Sequence, residues 1–212
     1  MKLSDLRREY TMAGLHRAEL DPNPIAQFHR WFQQALDAGL TEPSAMTLAT
    51  ADAQGRPSAR IVLLKAVEER GFVFFTNYES RKGRELAENP HAALVCYWGD
   101  LEREVLVAGT VNKSTREESA TYFARRPRGS QLGAWVSRQS TVVPDHGFLE
   151  GELKAVEERF AGGAVALPDY WGGYILKPSR IEFWQGRPNR LHDRFQYSRP
   201  SGGSWRIDRL SP

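Results

Sequence analysis

Arg190, His192 and Arg194 alternate with Leu191, Asp193 and Phe195 in the C-terminal stretch Trp184-Gln-Gly-Arg-Pro-Asn-Arg190-Leu-His-Asp-Arg194-Phe195. With the two-residue period of a strand, both arginines and the histidine share one face. Such a face suits an anionic or electron-rich ligand. A charged edge strand, protected against aggregation, fits the same pattern. A second group, Ser80-Arg-Lys-Gly-Arg84, opens a predicted helix directly after the run Phe72 to Thr76. Ser80 is a good N-cap. Arg81, Lys82 and Arg84 then occupy the first turn, where the macrodipole disfavours cations. A bound anion accounts for them, because free N–H groups and the dipole attract a phosphate and the side chains close on it. An exposed basic helix end is the alternative. A third group, Tyr122-Phe-Ala-Arg-Arg126-Pro-Arg-Gly-Ser130, puts its cations near a helix C-terminus, where they are favourable without any ligand. Two phosphate sites beside a polar and aromatic strand would imply two phosphorylated ligands.

The charge balance narrows the choice. The chain has 212 residues and a net charge of +3. From Arg180 to Pro212, seven arginines face Glu182, Asp193 and Asp208, a local net of +4, so the remainder is close to neutral. A nucleic-acid binder could carry such a patch. So could an enzyme that holds phosphorylated small molecules. No G-x-G-x-x-G, Walker lysine loop or H-E-x-x-H occurs. The lone cysteine, Cys96, lies in the apolar run Ala92 to Trp98 and reads as a small core hydrophobe. No cysteine metal site or disulfide framework follows from it, and no metal is expected. The charged N-terminus and the lack of a long apolar run point to a cytoplasmic protein without membrane contact. Asn112-Lys-Ser114 is a glycosylation sequon that matters only in a secreted chain.

These groups need elements to position them. Asn23 caps and Pro24 starts a helix whose apolar stripe is Ile25, Phe28, Phe32, Ala35 and Leu36, with Gly39 as its stop. Strand patterns follow at Ala45 to Thr50, Ala59 to Lys65, Gly71 to Thr76, His91 to Trp98, Glu104 to Val111, Tyr174 to Trp184, Arg190 to Tyr197 and Ser204 to Leu210. Ser201-Gly-Gly-Ser204 suits a hairpin loop between the last two. Helices are expected over Arg81 to Glu88, Arg116 to Ala124 and Phe148 to Phe160. Thr115 and Glu118 form a capping box for the second, and Leu149, Leu153, Val156 and Phe160 give the third a buried face. The pattern is mainly β, of the α+β kind: one antiparallel barrel with peripheral helices.

In this order the pieces resemble the FMN-dependent pyridoxine/pyridoxamine 5′-phosphate oxidase family. The match runs through Arg7-Arg-Glu-Tyr10, Arg60-Ile-Val-Leu-Leu-Lys65, Phe75-Thr76, Ser80-Arg-Lys82, Tyr122 and Arg126-Pro-Arg-Gly-Ser130. It continues through Gly133-Ala-Trp-Val-Ser-Arg-Gln-Ser140, Trp171-Gly-Gly173, Ile181-Glu-Phe-Trp-Gln-Gly186 and Arg190-Leu-His-Asp-Arg194. Each piece is weak alone; together they are specific.

The resemblance implies a split barrel of antiparallel strands, a homodimer, and FMN at the subunit interface. It divides the chain into an N-terminal substrate-covering segment, 1–20, and one FMN-binding domain, 21–212. FMN contacts are implied for Arg60, Ile61, Lys65, Phe75, Thr76, Ser80, Arg81, Lys82, Glu104, Gln139, Ser140, Trp184 and Arg194. The substrate phosphate falls to Lys65, Tyr122, Arg126 and Ser130. Arg190 and His192 face the pyridine ring and carry the catalytic role, and Arg7, Arg8 and Tyr10 cover the substrate. The implied reaction is oxidation of pyridoxine 5′-phosphate or pyridoxamine 5′-phosphate by O2, with no nucleic acid involved. A split-barrel flavoprotein with another substrate is the alternative. Arg60 and Lys65 differ in strand parity, so serving one site requires a bulge, a strand end or backbone contact. At Glu104 the family usually has glutamine; a carboxylate only accepts hydrogen bonds, whereas an amide also donates.

Overall fold

The computed structural model describes residues 9–199 and 203–212. Its centre is one antiparallel sheet. The strands are β1 (Ala45–Ala51), β2 (Pro57–Leu63), β3 (Ala66–Glu68), β4 (Gly71–Asn77), β5 (His91–Trp98), β6 (Arg103–Lys113), β7 (Trp171–Gln185), β8 (Asp193–Ser198) and β9 (Arg206–Leu210). Their order is β2-β1-β5-β6-β7-β4-β3. The long β7 pairs along one edge with β6, and along its other edge first with β4 and then with β8. β9 completes a hairpin with β8. The helices α1 (Pro24–Asp37), α2 (Arg81–Glu88), α3 (Arg116–Arg125), α4 (Arg128–Val136) and α5 (His146–Arg159) lie around this curled sheet. The mainly β split-barrel expectation holds.

Local chemistry explains the elements. Asn23 accepts from the Ile25 N–H and Pro24 occupies the first turn of α1; Gly39, at φ 68°, follows its end. Burial alternates along β1, so Met46, Leu48 and Thr50 point inward. Phe28, Trp31, Phe72, Phe74, Trp98, Phe183 and Tyr197 fill the main core, each at most 2% exposed. Each such side chain contributes roughly 1.5–3 kcal/mol on burial, so α1 is anchored chiefly by Phe28 and Trp31. A second core of Phe123, Leu132, Ala134, Val165 and Trp171 joins α3 and α4 to the start of β7. Cys96 is buried, and burial pushes its thiol up to about 12.

Three expectations need correction, and one element was not expected. Leu36 is 48% exposed, and Trp31 takes the buried position on that face of α1. Leu149, Leu153, Val156 and Phe160 are half-buried, and no residue of α5 is fully buried. The chain after Pro127 forms α4, a helix absent from the expected elements. β8 begins only at Asp193: Asn189 and Arg190, at φ 57° and 61°, sit in left-handed backbone and form a turn instead of a strand. Residues 201 and 202 of the expected hairpin loop, and Arg7 and Arg8, lie outside the described residues.

Candidate active site

A cavity of 630 Å³ opens between the end of β2, β4, and helices α2, α3 and α4. It is lined by Ile61, Lys65, Phe75, Thr76, Lys82, Tyr122, Arg126, Ser130 and Gln139, so nine of the predicted site residues meet in one place. Lys65, Lys82 and Arg126 bring three cations to its wall, and no acidic side chain among the described residues lines it. One aromatic wall is a parallel stack: Phe75 lies 3.9 Å from Tyr122 at 15°, and Trp171 lies 5.6 Å from Phe75 at 14°. Flat rings of this kind suit a flat ligand.

A strand end separates Arg60 from Lys65, and of the two only Lys65 lines the cavity. β2 stops at Leu63, and the Lys65 N–H donates to the Val73 carbonyl of β4 at 2.8 Å. Lys65 thereby leaves the β1 edge and reaches the cavity. Arg60 stays on β2, reaches over β1, and donates to the Leu48 carbonyl and the Thr50 hydroxyl.

At one end of the cavity, Lys82 is 8% exposed. Its Nζ donates to Gln139 Oε1 at 2.8 Å and lies 3.4 Å from Thr76 Oγ1. Thr76 also donates to Gln139 Oε1, at 3.1 Å. Burial, aided by the Arg60 charge, lowers the ammonium to about 8. Ser80 caps α2, as expected, by accepting from the Gly83 N–H. Behind Lys82, Glu85 gathers four donors. Its Oε2 accepts from Thr50, from Ser58 at 2.6 Å and from Arg60 at 3.3 Å, and its Oε1 accepts from Arg81 at 2.9 Å. Burial alone would raise the Glu85 carboxyl, but these hydrogen bonds and charges hold it down to about 2.

At the other end, Arg126 lies 4.6 Å above the Trp171 ring. Its buried Nη1 has no hydrogen-bond partner among the described residues. Burial lowers its affinity for the proton, as it does for Arg60. A buried guanidinium N–H without an acceptor is costly, and Arg126 lines a cavity in which an anion could compensate its charge. This donor set fits phosphate groups, and with the ring stack it fits FMN and a phosphorylated aromatic substrate.

Glu104, Trp184 and Arg194, on β6, β7 and β8, form a second group with His192 and Tyr10 beside them. Glu104 pairs in register with Trp184, and Trp184 with Arg194. Arg194 donates to Glu182 Oε1 at 2.7 Å, which raises the arginine. Burial, then the neighbouring Glu182, raises the Glu104 carboxyl, against the pull of Arg194. His192 lies 4.7 Å from Trp184, and Tyr10 stands edge-on to both rings at 5.5 Å. The Arg187 N–H donates to His192 Nδ1 at 3.1 Å. Burial, then Arg190, lowers the imidazole. Arg190 is exposed on its turn and does not share a strand face with Arg194. Arg81 and Ser140 are also exposed.

Sequence reading left several residues unassigned. Asn77, Ser137 and Trp171 line the cavity, and Asn77 Nδ2 donates to the Ser137 carbonyl at 3.3 Å. Glu85 was legible only as a helix position. Its spacing of four from Arg81 was the available signal.

Comparison with known proteins agrees with this geometry. A family model described as pyridoxamine 5′-phosphate oxidase matches residues 32–160, and one described as pyridoxine 5′-phosphate oxidase C-terminal dimerisation region matches residues 171–212. The chain is 60% identical over 210 residues to a pyridoxine/pyridoxamine 5′-phosphate oxidase of Rubrobacter xylanophilus, covering 99% of this chain and 96% of that one. It is 58% identical to the Paraburkholderia phymatum protein of the same name, over 99% of both. Among solved structures, PhzG from Burkholderia lata 383, in complex with tetrahydrophenazine-1-carboxylic acid, superposes with a TM-score of 0.88 at 30% identity, covering 95% of this chain and 99% of that one. A pyridoxamine 5′-phosphate oxidase-related, FMN binding protein of Nostoc punctiforme, at 16% identity and a TM-score of 0.72 over 91% of this chain and all of that one, shares the fold. The two family models and the near full-length relatives place the chain in the pyridoxine/pyridoxamine 5′-phosphate oxidase family.

Proposed function

We propose that the protein oxidises pyridoxine 5′-phosphate and pyridoxamine 5′-phosphate to pyridoxal 5′-phosphate with FMN and O2. The alcohol and O2 give the aldehyde and H2O2; the amine also consumes water and releases ammonia. When bound, FMN supplies the two-electron acceptor that O2 reoxidises. The observation that carries this reading is the cavity whose cations are Lys65, Lys82 and Arg126. Lys82, with Thr76, Gln139 and Ser140, holds the FMN phosphate and ribityl chain, and Arg60 and Arg81 are steadied by Glu85. Lys65, Tyr122, Arg126 and Ser130 hold the substrate phosphate. Arg190 polarises the substrate beside its reacting carbon, and His192 orients it. Residues 1–20 cover the substrate, and 21–212 form the flavin domain.

The functional unit is a homodimer in this reading. Trp184 lies thirteen residues beyond Trp171 on β7, roughly 40 Å of extended strand. The Trp184 group therefore serves the cavity of a second copy. The match of 171–212 to a dimerisation region supports this.

The test is an absorption spectrum and sedimentation of the purified protein, followed by peroxide release with each vitamer phosphate. A yellow dimer with about one FMN per chain and peroxide from either vitamer is expected. A colourless protein, inactive after FMN is added, overturns the reading. The likeness to PhzG favours one rival, a flavoprotein acting on a tricyclic carboxylate. Turnover of such a carboxylate without turnover of vitamer phosphates would select it.

A further inference from the structure

Two buried carboxylates hold the described start of the chain against the Trp184 group. Glu102 Oε2 accepts from the backbone N–H of Thr11 at 2.9 Å and of Met12 at 3.0 Å. Asp193 Oδ2 accepts from the Leu15 N–H at 3.0 Å. Glu102 is 2% exposed and Asp193 is 6% exposed. Arg187 and Arg209 pair with Asp193, so its charge is compensated. Glu102 closes the turn between β5 and β6 in left-handed backbone, at φ 54°. A non-glycine residue held there requires support from its surroundings.

The same residue grips the end of β7. Its carbonyl accepts from the Gly186 N–H at 2.7 Å and from Gln185 Nε2 at 3.1 Å. Glu102 thus ties two elements together through different atoms. The backbone carbonyl fixes the strand that carries Trp184, and the carboxylate fixes the segment that carries Tyr10. Gly186 makes the approach possible. A Cβ there would lie 2.8 Å from the Tyr10 ring and 3.0 Å from the Glu102 Cβ.

We propose that Glu102 is a positioning residue whose carboxylate latches Tyr10 across Trp184 and His192, closing the substrate side of the site, while Asp193 fixes the far end of the same segment at Leu15. This rests on the reading that His192 faces the substrate. Charge-assisted bonds to two consecutive amides are directional, so they set where the ring lies as well as whether the segment docks. The segment then raises substrate affinity by preorganisation, without bonding to the reacting atoms.

The test uses the FMN-loaded protein and four variants: Glu102→Ala, Glu102→Gln, Gly186→Ala and Tyr10→Ala. Chymotryptic cleavage after Tyr10, followed by mass spectrometry, reads the latch, because the scissile bond includes the Thr11 amide. Glu102→Ala should speed that cleavage by roughly tenfold or more, since it removes two bonds to a charged group. Glu102→Gln keeps an acceptor oxygen and should stay near the parent. Kinetics should show a KM roughly tenfold higher in Glu102→Ala, with FMN content unchanged. Combining Glu102→Ala with Tyr10→Ala should raise KM no further than either alone, because both act through one ring. Gly186→Ala displaces the ring with the carboxylate intact and should raise KM in the same way. It keeps the test available if Glu102→Ala fails to fold. Unchanged cleavage in Glu102→Ala, or KM effects that multiply, would overturn the proposal. Faster cleavage with an unmoved KM refutes the positioning role and leaves the oxidase reading intact. A parent that turns over no vitamer phosphate fails that reading instead, and cleavage alone then tests the latch.

Discussion

Lys82 Nζ donates to Gln139 Oε1 at 2.8 Å inside a cavity that no carboxylate of the described residues lines. A neutral amide oxygen compensates a buried ammonium poorly. Burial, followed by the Arg60 charge, lowers the lysine to about 8 against the pull of Glu85, well below the ordinary 10.5.

A phosphate bound beside Lys82 favours the charged form. Below about pH 8 the ammonium is charged before FMN binds, so affinity should be level from pH 7 to 8. Above about pH 8 binding must recruit a proton, and affinity should fall by up to about tenfold per pH unit. Titrating apoprotein with FMN from pH 7 to about 9.5, followed by flavin fluorescence, measures this. Lys82→Gln should bind more weakly and with a flatter profile. A level profile in the parent would remove Lys82 from the phosphate site.

Arg126 carries a buried, unpartnered Nη1 above Trp171. Without ligand such a group costs about 1–3 kcal/mol. Arg126→Met should therefore keep or raise thermal stability while harming function, the trade expected at a binding site. The preference for a phosphorylated vitamer over its unphosphorylated form, as a ratio of kcat/KM, should shrink by roughly 100-fold. A variant that loses stability and keeps that ratio would make Arg126 a packing residue.

The parts of this arrangement differ in how far they follow from local sequence. Ser80 before three basic residues, the Thr115–Glu118 capping box, and the β-branched and aromatic run His91–Trp98 carry their own conformational instructions, and each forms where local chemistry puts it. The turn at Asn189 and Arg190 does not. Alternation from Arg190 to Phe195 mimics a strand, and only the two left-handed residues behind Pro188 break it. α4 was hidden because Gly129 and Gly133 dilute its helical pattern, and it is held through Leu132 and Ala134 against Trp171. Apart from Arg81, four residues from Glu85, the partners in the Glu85 cluster and the Glu102 latch lie 25 to 91 residues away. No periodicity encodes such pairs.

Arg81 and Arg190 belong to different groups, and their loss should separate cofactor from substrate. Arg81 is held by Glu85 in the first turn of α2, whereas Arg190 stands on the turn beside His192. Arg81→Ala should lower FMN content and recover much of its activity when FMN is added in excess. Arg190→Ala should keep FMN and lose roughly 100-fold in kcat/KM. Flavin content measured beside steady-state kinetics decides. Equal flavin loss in both would show that the division between cofactor and substrate roles is wrong.

Glu104 faces Trp184 across β6 and β7, and burial followed by Glu182 raises its carboxyl above the ordinary range. Arg194 is the opposing influence, but Glu182 already takes its Nε at 2.7 Å. If the Glu104 side chain meets the flavin edge, its negative charge opposes the charge that builds up on reduction. Glu104→Gln removes that charge at nearly constant volume and restores a donor. The variant should bind FMN at least as tightly as the parent and show an equal or higher flavin reduction potential. The parent should approach the variant at lower pH, as the raised carboxyl takes up its proton and becomes neutral. FMN titration of the apoprotein and redox titration of both proteins at two pH values measure these effects. If neither quantity moves, Glu104 points away from the flavin. A marked loss of FMN affinity in the variant would overturn the prediction and give the carboxylate a role of its own, such as holding Arg194 toward the ring.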